Sequence, residues 1–128
     1  MSSFHEEPQV MIIDDVLAAR AVVRDMLADM GITRIAEACD GLEALQKLRR
    51  HGAQLIICDL IMDEMHGASL LSQVRKHAQL EKIPFVMMSA CSDAPVIQAA
   101  LEMGAKEFLV KPLSFRSFRE KILTVLRG

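Results

Sequence analysis

LIICD, residues 55–59, is an unbroken apolar run that ends on a carboxylate. A strand that is covered on both faces shows no alternation of polar and apolar residues, so the pattern predicts a central strand of a parallel sheet. Ligands of such sheets bind beyond the carboxyl ends of the strands. Three further runs end on side chains that could contact a phosphoryl group there: Val10–Ile13 before Asp14 and Asp15, Phe85–Met88 before Ser89, and Phe108–Val110 before Lys111.

Length, composition and charge indicate one globular domain without a nucleic-acid or membrane surface. The chain has 128 residues, of which 52% are hydrophobic, and its formal net charge is −2. This length fits a single domain, and the charge supplies no basic patch. Residues 1–9 form a polar N-terminal tail without the features of a signal peptide. We therefore expect a cytoplasmic protein whose folded domain covers residues 10–128.

Helical patterns separate the apolar runs along the chain. The first helix is predicted over Leu17–Met30, with an inward stripe formed by Val22, Val23, Met26, Leu27 and Met30. Asp40 is predicted to cap the second helix, whose inward positions are Leu42, Leu45 and Leu48. The remaining elements are a strand over Arg34–Ala38 and helices over Gly67–His77, over Ala94–Met103 and after a capping Ser114. Five strands that alternate with five helices predict a doubly wound α/β fold.

The three cysteines are predicted to be free, buried thiols. Cys39, Cys58 and Cys91 are odd in number and match no zinc-binding spacing. Buried thiols in a reducing compartment are the favoured interpretation. A redox sensor at Cys91 is disfavoured, because no basic residue stands beside it in the sequence.

Three acids are expected to meet at the carboxyl edge of the sheet: Asp14, Asp15 and Asp59. Carboxylates held together repel one another, and a hard divalent cation removes this repulsion. Taken alone, Asp14 and Asp15 are better explained as turn or cap residues, but Asp59 at another strand end favours a Mg²⁺ site. Asp59 could also accept a phosphoryl group, whose oxygens Lys111 and Ser89 would contact. Each residue is a weak signal by itself, and only the joint placement is specific.

These motifs resemble the receiver domain of two-component response regulators, of the CheY-like type, over nearly the full length of the chain. The matching residues are Asp14-Asp15, Asp59, Gly67 eight residues later, Ser89-Ala90, the segment from Ala100 to Ala105, Phe108 and Lys111-Pro112. The resemblance implies a flavodoxin-like or CheY-like α/β fold, with a doubly wound five-stranded parallel sheet of strand order 2-1-3-4-5 flanked by five helices.

The resemblance also implies a role for each residue of the acidic site. Asp59 corresponds to the phosphoacceptor, and Lys111 to the ammonium that pairs with the phosphoryl group. Asp15 and Asp59 correspond to direct ligands of Mg²⁺, with Mn²⁺ as an alternative ion. The backbone carbonyl of Ile61 corresponds to a further ligand, and Asp14 to an acid that acts mostly through water.

A conformational switch and a set of partners follow from the same resemblance. Ser89 corresponds to the hydroxyl that moves toward the phosphoryl group, Phe108 to the aromatic that then turns inward, and Lys111-Pro112 to a cis peptide bond. The expected phosphodonor is a histidine kinase or a histidine phosphotransfer protein. A downstream effector would bind the face built from the fourth helix, fifth strand and fifth helix. No membrane or direct nucleic-acid contact is expected, and a monomer or a weak phosphorylation-dependent dimer stays open.

The loop after Asp59 departs from the family pattern. Asp63 stands where proline is usual, and His66 where Asp or Asn is common. Ile61 and Cys91 occupy two positions that tune dephosphorylation in the family, and neither side chain is suited to orient a hydrolytic water. We therefore expect a comparatively long-lived aspartyl phosphate in a protein that catalyses only its own phosphorylation and slow dephosphorylation.

Three alternatives are weighed against the phosphorylated switch. A phosphorylation-independent, receiver-like interaction module is the first, although all the core residues of the site are present. A Mg²⁺-dependent phosphatase would usually carry a second acid two residues after Asp59, where Ile61 stands. A flavin-binding relative would need a phosphate-binding loop after the first strand, where Asp14-Asp15 would repel the phosphate.

Overall fold

The structure, a computed structural model, describes residues 9–62 and 65–128. Residues 1–8 of the predicted tail and Asp63 lie outside the described residues. The strands are β1 (Val10–Ile13), β2 (Ile35–Ala38), β3 (Ile56–Asp59), β4 (Phe85–Ser89) and β5 (Glu107–Val110). The helices are α1 (Leu17–Asp29), α2 (Gly41–His51), α3 (Gly67–Lys76), α4 (Ala94–Glu102) and α5 (Phe115–Arg127). None of these helices is long and apolar enough to cross a membrane.

The five strands form one parallel sheet in the order β2-β1-β3-β4-β5. This confirms the doubly wound α/β fold and the strand order that were predicted. The direction of winding reverses between β1 and β3, where Ile13 lies opposite Cys58. In open α/β sheets the crevice at this reversal is the usual ligand site, so the residues that follow Ile13 and Cys58 are brought to the functional position of the fold.

Alternate residues of each central strand pack into two different cores. In β1, Met11 and Ile13 belong to a core that contains buried residues of α2, α3 and α4. Val10 and Ile12 belong to a second core, with buried residues of α1 and α5. Both faces of the sheet are therefore covered, which explains why LIICD shows no polar alternation.

Side-chain caps fix the starts of two helices, as predicted. The Oδ1 of Asp40 accepts a hydrogen bond from the backbone N–H of Glu43 at 2.8 Å, and the Oγ of Ser114 accepts one from Ser117 at 3.2 Å. Glu43 in turn accepts the backbone N–H of Cys39 at 2.7 Å. This hydrogen bond is the main cause that lowers the pKa of Glu43 to about 2. Each contact satisfies a backbone donor that the helix itself cannot pair.

Two positions predicted to face inward are exposed. Leu42 is 52% exposed, because at about 100° per residue it lies roughly 120° around α2 from the buried Leu48. Val22 is 48% exposed for the same reason, since it lies about 100° or more around α1 from the buried Val23 and Leu27. The helical period of both helices is confirmed, but the buried stripe is narrower than predicted.

The three cysteines are free, and they differ in burial. Cys58 is buried in β3, and its burial raises the pKa of the thiol well above the usual value. Cys91 is half-buried. Cys39 is exposed, so the prediction of burial is wrong at this position. Cys39 follows β2 at the point where the chain leaves the sheet for α2, and its side chain therefore has no core to enter.

Candidate functional site

Asp14 follows β1 and is held by four hydrogen bonds. It is fully buried, and its backbone N–H donates to the carbonyl of Ala38 at 3.2 Å. Its Oδ1 accepts the backbone N–H of Val16 at 2.9 Å, and its Oδ2 accepts the Nζ of Lys111 at 2.9 Å. The Nη1 of Arg20 donates to its backbone carbonyl at 2.7 Å. Asp14 is thus both the turn residue of its loop and one part of a cluster with residues distant in sequence.

The carboxylates of Asp14, Asp15 and Asp59 converge at the carboxyl edge of the sheet. One oxygen from each lies within 4.8 Å of the others. The parallel register of Ile13 and Cys58 explains this proximity, because the residues that follow them leave neighbouring strands at the same level. Within residues 9–62 and 65–128, these three form the one such group of His, Cys, Asp or Glu side chains. The predicted meeting of the three acids is therefore present in the fold.

Lys111 brings the end of β5 to the same cluster. Its Nζ lies 2.9 Å from Oδ2 of Asp14 and 3.7 Å from Oδ2 of Asp59. Its backbone N–H donates to the carbonyl of Ser89 at 2.8 Å, which joins the ends of β4 and β5. The peptide bond between Lys111 and Pro112 is cis. One ammonium beside three carboxylates leaves an excess of negative charge at this edge.

The surroundings of Asp59 make the ionisation of its carboxyl group less favourable than in water and so raise its pKa. Burial raises the pKa of the Asp59 side chain, and the negative charges of Asp14 and Asp15 raise it further. Lys111 lowers the pKa, but the net direction is upward. Three carboxylates whose mutual repulsion is offset only in part by Lys111, and which offer oxygen donors, suit a hard divalent cation such as Mg²⁺. The donor set therefore fits the metal that the sequence predicts.

Ser89 and Phe108 are both buried, but they lie at different levels along the strands. Ser89 ends β4 and is 2% exposed, and its Oγ accepts the backbone N–H of Cys91 at 3.1 Å. Asp59 lies opposite Met88, so Ser89 is one residue further along the neighbouring strand. Phe108 is 3% exposed and packs within the core that α4 borders. The hydroxyl is therefore at the sheet edge, while the aromatic ring is in the interior.

Gly67 allows the first turn of α3 to lie against the end of β3. Its backbone N–H donates to the carbonyl of Leu60 at 2.9 Å. A Cβ at this position would lie 2.5 Å from the carbonyl oxygen of Asp59 and 2.9 Å from the Cα of Leu60. These contacts leave no room for a side chain, so the absence of a Cβ sets the distance between α3 and Asp59.

The loop after Asp59 contains the remaining predicted site residue, Ile61. Its side chain is 62% exposed and points away from both cores. The Nδ1 of His66 accepts the backbone N–H of Met62 at 3.4 Å, so the unusual histidine contacts the backbone of this loop. The predicted effect of Asp63 on the loop falls outside the described residues.

The role of Arg20 is not apparent from the sequence pattern. Besides its bond to the carbonyl of Asp14, the Nε of Arg20 donates to Oε1 of Glu37 in β2 at 2.8 Å. Arg24 donates to the other carboxylate oxygen of Glu37 at 2.8 Å. Burial alone would raise the pKa of Glu37, but the hydrogen bonds from both arginines outweigh it and the net pKa is lowered. In the sequence, the one indication of this network is Glu37, a lone acid within a short apolar strand.

Comparison with known proteins gives matches over most of the chain. Residues 10–123 match the family profile of the response regulator receiver domain. Chemotaxis protein CheY-3 of Vibrio cholerae is 31% identical over 114 residues, which cover 89% of this chain and 88% of that protein. A probable chemotaxis protein CheY of Rhizobium etli is 29% identical over 123 residues, covering 96% and 95% of the two chains. The solved structure of V. cholerae chemotaxis protein CheY4 superimposes with a TM-score of 0.85 at 29% identity, covering 93% of this chain and 98% of that one.

Proposed function

The chain belongs to the response regulator receiver domains, and from this premise we propose that it is a phosphorylation-controlled switch whose phosphoacceptor is Asp59. Receiver domains are signalling switches that accept a phosphoryl group, rather than enzymes that turn over a substrate. The observation that carries the proposal is the position of Asp59 within 4.8 Å of Asp14 and Asp15 and 3.7 Å from the Nζ of Lys111. The proposed donor is a histidine kinase or a histidine phosphotransfer protein.

The proposed reaction is the transfer of a phosphoryl group from phosphohistidine to a carboxylate. A carboxylate oxygen of Asp59 forms a bond to phosphorus, the bond from phosphorus to the histidine nitrogen breaks, and the electron pair leaves with the imidazole. Catalysis of such a step consists mainly of positioning and charge stabilisation. The ammonium of Lys111 lies close enough to Asp59 to neutralise charge on the incoming group, and Ser89 supplies a hydroxyl at the same edge.

We assign the metal to the same cluster. Asp15, Asp59 and the backbone carbonyl of Ile61 would hold Mg²⁺ directly. Asp14 would act mostly through water, as in the family, and its carboxylate oxygens also accept hydrogen bonds from Val16 and Lys111. When bound, the ion supplies positive charge that offsets the repulsion between carboxylates and phosphoryl oxygens.

The proposed output surface is the face formed by α4, β5 and α5. Phe108 connects these elements, because its ring packs in the core that contains Ala100 of α4. Its backbone carbonyl accepts the Nζ of Lys121, in α5, at 3.0 Å. A change in the position of this ring would therefore alter its contacts on the α4 side, while the backbone bond to Lys121 links the same residue to α5. This provides a two-state element that a local charge change at Asp59 can bias toward binding of an effector.

A direct test is labelling with a small phosphodonor. We expect acetyl phosphate with Mg²⁺ to phosphorylate the wild type, and the Asp59→Asn variant to stay unlabelled while retaining its fold. Asp25→Asn is the matched control, because Asp25 is an exposed acid on α1, and it should label as the wild type does. Chelation of the metal should stop the reaction. If neither acetyl phosphate nor a histidine kinase labels the wild type, the chain is instead a phosphorylation-independent interaction module.

A further inference from the structure

We infer that Arg20 is a positioning residue for phosphoryl transfer, which fixes the peptide plane between Asp14 and Asp15. The inference deepens the proposed function and rests on it, since it concerns how the acids of that site are oriented. Arg20 lies on α1, behind the acids, and its side chain is only 14% exposed. It contacts the backbone of the site and neither carries nor receives the phosphoryl group.

The contact is to the one peptide unit that joins the two acids. The carbonyl of Asp14 belongs to the planar peptide group that ends at the Cα of Asp15. A hydrogen bond that fixes this carbonyl therefore also fixes the position of the Cα of Asp15. The Nη1 of Arg20 lies 2.7 Å from this oxygen. The preceding peptide is held as well, because the N–H of Asp14 donates to Ala38 at 3.2 Å. Both peptide units around Asp14 are therefore anchored.

Arg20 is itself held in place from β2. Its Nε donates to Oε1 of Glu37 at 2.8 Å, so two edges of one rigid guanidinium are engaged with different partners. Glu37 lies opposite Ile12 in the sheet register, and its backbone carbonyl accepts the Nζ of Lys47 at 2.7 Å. Arg20, which holds the Asp14 carbonyl, is thus itself held by Glu37, a residue fixed by strand pairing. Precise sites need such rigid supporting elements.

A simpler explanation is that Arg20 only ties α1 to β2. Arg24 separates the two explanations, since it also pairs with Glu37, through Nε at 2.8 Å, and is bonded to Glu37 rather than to Asp14. If Arg20 acted only through its charge, its removal would change the Mg²⁺ affinity in the opposite direction. Removing a cation near three carboxylates should strengthen the binding of a divalent cation, whereas loss of positioning should weaken it.

The experiment compares Arg20→Met with Arg24→Met. We expect Arg20→Met to raise the dissociation constant of Mg²⁺, measured by isothermal titration, about tenfold, as is typical for loss of an outer partner of a metal site. Arg24→Met should stay within about twofold of the wild type, although both variants lose an ion pair to Glu37. Phosphorylation of Arg20→Met by acetyl phosphate should be slow at low Mg²⁺ and recover in large part at saturating Mg²⁺. Arg20→Lys should restore little of the Mg²⁺ affinity, because an ammonium lacks the planar set of N–H donors that reaches both Glu37 and the Asp14 carbonyl.

Each outcome decides between the explanations. Unchanged or tighter Mg²⁺ binding by Arg20→Met, or equal losses in Arg20→Met and Arg24→Met, would overturn the inference while leaving the proposed function intact. A wild type that neither binds Mg²⁺ nor labels with acetyl phosphate would overturn the proposed function itself. If Arg20→Met does not fold, Glu37→Gln is measured instead, which loosens Arg20 without removing it. Its Mg²⁺ dissociation constant should rise, but by less than the roughly tenfold change expected when the outer partner itself is lost, and an unchanged value would count against the inference.

Discussion

Replacing Gly67 with alanine is expected to disturb the phosphoacceptor directly. The added Cβ would lie 2.5 Å from the carbonyl oxygen of Asp59 and 2.9 Å from the Cα of Leu60. Both are backbone atoms, so no change of rotamer relieves the contact. The third close atom, Sδ of Met87 at 2.8 Å, lies near the end of a flexible side chain and can shift more readily than backbone. The first turn of α3 and the end of β3 must therefore separate.

The size of the effect follows from these distances. Real Cβ contacts essentially never fall below 3.0 Å, so the separation must grow by at least about 0.5 Å. Overpacking of a well-packed region costs about 1–3 kcal/mol, and contacts with the backbone place this variant near 3 kcal/mol. For a domain of this size, the melting temperature should fall by about 10 °C. A misplacement of about 1 Å can reduce a rate 100-fold, so a shift of half that size at Asp59 should slow labelling about tenfold.

The assay measures urea unfolding and labelling by acetyl phosphate in the same preparations. Gly31→Ala is the matched control, because its φ of +83° strains an alanine but no atom lies within 4 Å of the added Cβ. Gly31 follows α1 at the opposite edge of the sheet, so its variant should lose about 1 kcal/mol and label at the wild-type rate. The reasoning is refuted if Gly67→Ala labels as fast as the wild type, or if it loses no more stability than Gly31→Ala.

Two further predictions concern Asp59 and the phosphorylated state. Burial and the neighbouring acids raise the pKa of Asp59. The contribution of Asp59 to stability therefore falls as the pH rises. The fall begins near the ordinary Asp pKa, roughly 3.9, and continues through the raised pKa of the folded protein. Asp59→Asn should therefore increase the free energy of unfolding at pH 7, and this gain should disappear below about pH 3.9. Urea titrations that give the two proteins equal stability at pH 7 would contradict the predicted direction. Because Ile61 and Cys91 are poorly suited to orient water, the aspartyl phosphate should persist for minutes after the donor is removed, and hydrolysis within seconds on phosphate-affinity gels would show otherwise.

The strands and the acidic cluster could be predicted because each depends on a local pattern. An unbroken apolar run such as LIICD is produced by burial on both faces, and parallel strands bring their ends to one edge whatever the helices do. Asp14, Asp59 and Lys111 therefore came together by topology alone.

What could not be predicted depends on how the helices pack against the sheet. The contact of Arg20 with the Asp14 carbonyl requires a particular rotation and height of α1, which no periodicity encodes. The exposure of Leu42 also depends on helix packing, because the neighbouring elements decide how much of the apolar side of α2 is covered. Repulsion between the three acids predicts that the pKa of Asp59 is raised, but burial, the largest cause of the raised value, becomes known only when the surrounding loops are placed.

The division of the interior into two cores has a consequence for how such a domain can diversify. One core is shared by α2, α3 and α4 and the other by α1 and α5, with the sheet backbone between them. A substitution that repacks one core leaves the side-chain contacts of the other unchanged, so effects on the two should be nearly additive. The acids lie at the ends of strands that belong to both cores. Changes in the helices that pack on one core can therefore accumulate while the other core keeps the reactive strand ends in register.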